Sequence, residues 1–165
     1  MTRRAATFLS IFLLLSLLSA PVHANHYRVV TIVDGDSITV EPSQGGDRIK
    51  ISLYGIDAPE LRQPYGHAAR VFVYNAVLFK EVDIQPVNID RYGRTVAVVN
   101  IPGVGILQEL LLSEGLAWVY PQYCKRKKIC EQYRRLEADA REKRKGLWGG
   151  ADPVPPWEWR HGKKR

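Results

Sequence analysis

The sequence predicts an α+β fold: a five-stranded β-barrel of the OB type carrying about three α-helices. Three observations point there. Short segments rich in β-branched residues alternate apolar and polar positions and are divided by glycine and aspartate turns. Stretches with apolar residues at helical spacing lie between and after them. At 165 residues, with no internal repeat, the chain is sized for one domain. Five short strands with interspersed helices fit a small barrel of the OB type.

The elements follow in order. Residues 27–33 and 37–40 read as strands around the turn Asp34-Gly35-Asp36. Gly45-Gly46 then suits a hairpin connection to a third strand, where Ile49, Ile51 and Leu53 alternate with Lys50 and Ser52. This makes a three-stranded meander with acids at two bends. The second bend lies in Leu53-Tyr54-Gly55-Ile56-Asp57-Ala58-Pro59-Glu60. Pro59 fixes its own φ and drives Ala58 toward extended geometry, so Asp57 and Glu60 stand on a stiff corner. Ala69, Phe72, Val73, Ala76 and Phe79 predict a helix over 66–79. Two strands follow at 82–87 and 94–101, the first an edge strand or bulged because of Pro86, joined by the turn Asp90-Arg91-Tyr92-Gly93. Helices are predicted over 107–116 and 130–145, the latter carrying the stripe Tyr133, Leu136 and Ala140, with Gly146 as its cap. Residues 151–165 read as an extended, proline- and tryptophan-rich strap with a basic end.

Residues 1–24 read as a secretory signal: Arg3 and Arg4, then an apolar run, then Val22-His23-Ala24 before a cleavage site. An uncleaved membrane anchor is the alternative. The domain is expected over 25–150, exported to the periplasm or beyond. Removing Arg3 and Arg4 lowers the net charge from +7 to +5. A basic exported domain implies an anionic partner, whether nucleic acid, anionic glycan or lipid headgroup. Export also lets Cys124 and Cys130 form a disulfide, the alternative being two separate buried thiols. No His/Cys set has zinc spacing.

Asp36 and Asp57 sit at bends that a meander can bring to one end of the sheet. Two carboxylates there, with a backbone carbonyl and waters, suit a hard cation such as calcium. Glu60 on the same corner can hold a reacting water. Arg94, after its turn, offers a guanidinium for phosphate. The plainer readings are ordinary acidic turns, a helix-start carboxylate and a structural Arg94–carboxylate pair.

The acidic corner, Asp34-Gly35-Asp36-Ser37 and Asp90-Arg91-Tyr92-Gly93-Arg94 together resemble the staphylococcal nuclease (thermonuclease) family, exported bacterial type, over about residues 29–159. The resemblance implies a calcium-dependent nuclease that hydrolyses DNA and RNA with little sequence preference, on a five-stranded OB barrel with three helices. It implies Asp36, Asp57 and the Ala58 carbonyl as calcium ligands, Asp34 beside them, Glu60 as general base and Arg94 as catalytic arginine. Arg91 and Tyr92 would contact nucleotide phosphate or sugar, with Arg91 where the relative carries lysine. Tyr123 falls on one nucleotide-contacting tyrosine of the family, while the other falls on Pro121 and Tyr120 reads as packing. Lys125 to Lys128 read as a solvated loop between the cysteines, able to raise the encounter rate with nucleic acid. Single-stranded substrates and a monomer are expected.

One position departs from the pattern. The family has an arginine five residues before the metal aspartate of the corner, and here that residue is Ser52. Serine offers no permanent cation, so a slow enzyme is expected, with Lys50 on the same strand face as a partial substitute. Two other readings stand beside this one: a nucleic-acid-binding OB module with little or no catalysis because of Ser52, and a barrel that binds anionic glycans.

Overall fold

The computed structural model describes residues 26–162; the expected signal segment lies outside the described residues. Strand β1 (His26–Ile32) pairs antiparallel with β2 (Ser37–Pro42), and β2 with β3 (Ile49–Leu53). Two residues, Ile56–Asp57, form β4. Helix α1 (Gly66–Val77) follows, then β5 (Glu81–Ile89), β6 (Thr95–Ile101) and the two-residue β7 (Gly105–Ile106). Helix α2 (Leu107–Ser113), β8 (Trp118–Val119), α3 (Lys127–Glu142), a 3-10 turn at Gly146–Gly149 and the single helical turn α4 (Pro156–Trp159) complete the order.

The expectation of a five-stranded barrel with about three helices is corrected here. The strands are organised as a six-stranded sheet in the order β3-β2-β1-β5-β6-β7 and a separate two-stranded sheet of β4 and β8, with four α-helices among the described residues. Within the larger sheet β3 also pairs parallel with β6, Ile51 opposite Thr95 and Leu53 opposite Ala97. The miscount has a physical cause. β4, β7 and β8 are two residues each, too short for a period-two pattern to register. α4 is one turn inside a proline-rich stretch that reads as extended.

The two irregularities in the sheet follow from the sequence. β1 slips register between Val29 and Thr31, so its buried residues Val29 and Ile32 are three apart, not two. β5 pairs with β1 only through Glu81–Asp83 and shifts register between Pro86 and Asn88 against β6. Pro86 thus lies past the reach of β1, at a bulge, where its missing N–H leaves no ladder bond unmade.

Val29, Ile38, Val40, Ile51, Leu53, Val82, Ala97 and Val99 supply the sheet's share of one core, closed by Ala69, Val73 and Val77 of α1 and Leu107, Leu111 and Leu112 of α2. Each buried aliphatic side chain stabilises the fold by about 1.5–3 kcal/mol. α3 begins earlier than its apolar stripe predicts, so Lys127 and Lys128 lie in its first turn and not in a free loop. The Tyr54 hydroxyl accepts the Lys125 and Arg126 N–H groups, each at 2.8 Å, just ahead of this helix. Cys124 and Cys130 are disulfide-bonded across the same junction.

Gln108 is fully buried and bridges α2 to β6. Its Nε2 donates to the Ala97 carbonyl at 2.8 Å and its Oε1 accepts the Val99 N–H at 3.2 Å. Gln108→Leu keeps the volume but removes both bonds. The expected loss is about 2 kcal/mol, read as a lower urea midpoint with an unchanged native circular dichroism spectrum.

Candidate active site

The two acidic bends meet through one carboxylate. Asp36 Oδ2 accepts the Ala58 N–H at 2.8 Å and its Oδ1 accepts the Ser37 hydroxyl at 3.0 Å. The Asp36 carbonyl accepts the Leu53 N–H at 2.8 Å. The first bend is therefore fastened to both ends of the segment that carries Asp57. Asp34 Oδ1 accepts the Asp36 N–H at 3.0 Å, which shapes the turn. Gly35 makes the approach possible: a Cβ there would lie 2.7 Å from the Ala58 Cβ and 2.8 Å from the Ala69 Cβ. Gly66 does the same behind the corner, where a Cβ would stand 1.9 Å from the Glu60 carbonyl oxygen.

Asp57 is held from the other side by β4–β8 pairing, opposite Trp118. Glu60 keeps its carboxylate at the surface while its N–H donates to Gln63 Oε1 at 3.1 Å. Arg94 reaches the acids through a relay. Its Nε donates to Asp90 Oδ2 at 2.7 Å and its Nη1 to the Ser37 hydroxyl at 3.1 Å, the same hydroxyl that donates to Asp36. Arg94 thus pairs with Asp90 and reaches Asp36 through the Ser37 hydroxyl. Asp90 also accepts the Tyr92 and Arg94 N–H groups at 2.8 and 3.0 Å. Burial pushes the Asp90 carboxyl up, but these bonds outweigh it and hold the group below its ordinary value.

Tyr92 is exposed between two guanidiniums, with Arg91 4.8 Å and Arg94 5.8 Å from its ring centre, and its hydroxyl accepts from Arg91 at 2.6 Å. Ser52 lies opposite Ser37 on the neighbouring strand, so it faces the same side as Arg94. Lys50 is exposed, two residues back on β3. Tyr123 is exposed and meets Tyr120 edge-to-face at 4.7 Å. Tyr120, read as simple packing, is itself stacked on Trp157 at 4.9 Å with an interplanar angle of 10°.

Sequence reasoning missed Arg160. Its Nη1 donates to Asp57 Oδ1 at 3.2 Å and to Glu60 Oε1 at 2.6 Å, and its Nη2 donates to Asp57 Oδ2 at 2.7 Å. The segment that delivers it is fastened by Gln63 Nε2 on the Val154 carbonyl at 2.5 Å and by the Trp157–Tyr120 stack. A faint signal was present: Trp157-Glu158-Trp159 between prolines and a basic end has the aromatic area to pack.

Charge at the site is unbalanced. Burial first, then the charges of Asp34 and Asp57, push the Asp36 carboxyl well above the ordinary carboxylate range, against the bonds from Ala58 and Ser37. Burial raises Asp57 too, opposed by the bonds and charge of Arg160. Bonding to Asp57, then to Glu60, holds the Arg160 guanidinium above its own ordinary value despite partial burial. Among the described residues no group of three or more His, Cys, Asp or Glu is arranged to hold an ion.

Residues 50–150 match the model of a protein family described as staphylococcal nuclease homologue. An Escherichia coli protein named "Uncharacterized endonuclease" is 40% identical over 138 residues, 84% of this chain and 86% of its own. The chain belongs to the staphylococcal nuclease family. A Shigella flexneri protein named "Micrococcal nuclease" is 34% identical over 145 residues, 83% of this chain and 81% of its own. The Arabidopsis thaliana "Staphylococcal-like nuclease CAN1" is 35% identical over 141 residues, 86% of this chain but 40% of its own length. Membership supports a nuclease-type hydrolase activity and binding of nucleic acid in general terms. In this family member, Asp36, Asp57, Ala58 and Glu60 form one cluster with Arg94 beside it. Tyr123 belongs to a separate aromatic row with Tyr120 and Trp157.

The raised Asp36 gives a pH test with a definite sign. A folded-state pKa above the unfolded value of 3.8 means that the folded protein binds more protons between the two. Stability therefore falls as pH rises through that window, and ionised Asp36 weighs on the metal-free fold above it. Asp36→Asn removes the charge and keeps partners for both hydrogen bonds. In chelator near neutral pH it is expected to melt above the native protein, with the gap closing as pH falls toward 3.8. A thermal melting series against pH checks this.

Proposed function

We propose that this protein is an exported, calcium-dependent nuclease that hydrolyses DNA and RNA phosphodiesters with little sequence preference, favours single strands and works as a monomer. The observation that carries the reading is the Asp36 carboxylate, which takes the Ala58 N–H of the acidic corner and is joined through Ser37 to Arg94. Two acids for a cation, a base and a phosphate-gripping guanidinium thereby share one side of the fold.

The residues fit a hard cation. Asp57 is buried and Asp36 partly so; both are oxygen-only donors, the charge of Asp57 adds to the need of Asp36 for positive charge, and a guanidinium already rests against Asp57. Asp36, Asp57 and the Ala58 carbonyl would hold calcium, with water completing an oxygen shell. Bound there, calcium neutralises phosphate charge. Glu60, partly exposed, orients the attacking water and takes its proton. The water oxygen bonds to phosphorus, the bond from phosphorus to the 5′ oxygen breaks, and the products are a 3′-phosphate and a 5′-hydroxyl. Arg94, with its Nε fixed by Asp90, turns its remaining donors toward the charge that grows on the phosphoryl oxygens. Arg91 and Tyr92 flank the strand, and the exposed Tyr123 offers a stacking face. Export is supported by the signal-like sequence of residues 1–24 and by a disulfide that suits an oxidising compartment.

Ser52 favours a second reading, a nucleic-acid-binding module with little catalysis. Incubation with a single-stranded oligonucleotide separates the two. The native protein is expected to cut with calcium and to stop in chelator while its melting stays cooperative. Glu60→Gln is expected to lower kcat by about 10²–10⁴. A native protein that binds the strand with calcium and leaves it whole is the binding module.

A further inference from the structure

We infer that Arg160 supplies the second phosphate-binding guanidinium of the site, from the C-terminal segment and in place of the arginine absent at Ser52. The inference rests on the nuclease reading above.

Arg160 touches the two residues between which the reaction would run. It bonds both oxygens of Asp57, a proposed cation ligand, and one oxygen of Glu60, the proposed base. A water held by Glu60 for attack lies one contact from phosphorus. A guanidinium bonded to Glu60 therefore starts within side-chain reach of the phosphoryl oxygens. A planar fork that fits a carboxylate also fits a phosphate. Nor is the group sealed in: its side chain is 43% exposed, against 6% for Asp57. It borders a cleft of about 480 Å³ with Asp34, Glu60, Arg62 and Trp159.

The surrounding structure is built to deliver this residue. Arg160 follows directly on α4, and its N–H donates to the Pro156 carbonyl at 3.0 Å. The Tyr120 stack and the Gln63 bond fix that turn to the body of the protein. Across the site, Arg94 has Nε committed to Asp90 and Nη1 to Ser37. Its one guanidinium cannot grip the phosphate from two sides, and neither Ser37 nor Ser52 brings a charge. When a cation takes the charge of Asp57 and a water takes Glu60, both carboxylate partners of Arg160 are claimed, and the Tyr120 phenol remains beside it. The guanidinium donors then turn to the phosphate that arrives between them.

Three measurements test this, with native folding of each variant checked by melting. Arg160→Ala is expected to lower kcat on a single-stranded oligonucleotide by about 10²-fold. Arg160→Lys, which keeps the charge and loses the fork, is expected to fall between it and the native protein. Ser52→Arg in the Arg160→Ala background is expected to recover activity. Binding gives a readout apart from turnover. With calcium and in the slow Glu60→Gln background, adding Arg160→Ala is expected to flatten the plot of log affinity against log salt by about 0.7. Should Arg160→Ala fail to fold, Arg160→Gln carries the same comparisons. A native protein that does not cut overturns the nuclease reading itself. A native protein that cuts, with Arg160→Ala equally fast or faster, overturns only the role of Arg160, and faster cutting identifies it as a plug.

Discussion

The Asp36 carboxylate is the joint on which the acidic end of this molecule depends. Two bends separated by a whole hairpin are brought together because one oxygen of Asp36 takes the Ala58 N–H and the other takes the Ser37 hydroxyl. Burying a carboxylate without a full counter-charge is unfavourable, and the site pays that cost at Asp36 and again at Asp57. The fold tolerates it because the hydrophobic core is built elsewhere, from the sheet, α1 and α2. Stored negative charge of this kind favours the uptake of a cation. Gly35 and Gly66 serve the same end by steric means, since a side chain at either would push the corner from its seat.

Positive charge reaches the acids from two distant parts of the chain. Arg94 comes from the β5–β6 turn, where Asp90 organises both its backbone and its side chain. Arg160 comes from beyond α3, more than a hundred residues after the corner it touches. The two arrive from different sides: one joins Asp36 through Ser37, the other lies on Asp57 and Glu60. A site assembled this way can change the source of a guanidinium without changing its acidic core. The family match ends at residue 150, before the segment that carries Arg160. The acidic corner and Arg94 lie within that match.

The C-terminal segment also joins the aromatic surface to the acids. Trp157 stacks on Tyr120, Tyr120 meets Tyr123, and three residues after Trp157 the chain reaches Glu60. A row of exposed and half-exposed rings thus leads to the charged centre. The basic start of α3 lies close in sequence to the same row. Of the four charges at residues 125–128, two lie ahead of the helix and two in its first turn, on backbone that the disulfide and the Tyr54 hydroxyl hold in place.

By itself the sequence determined the strand and helix segments long enough to show a period. These are β1, β2, β3, β5, β6 and the three longer helices, and with them the acidic corner, the Asp90–Arg94 turn and the pairing of two cysteines as an option. Each rests on local chemistry: β-branched alternation, the stiffness that Pro59 gives its corner, the turn preference of Asp-Gly. The two-residue strands escaped it, because two residues carry no period. So did α4, because three prolines just ahead of a tryptophan pair read as extended. Only the tertiary structure decided the sheet order, the β3–β6 pairing and the meeting of Asp36 with Ala58. It also decided that Arg160 lies on Asp57 and Glu60. No local preference encodes a contact across a hundred residues or more; it forms because the buried Asp57 and the surface carboxylate of Glu60 together draw a cation, and the tail, fastened by its aromatic rings, has a guanidinium within reach.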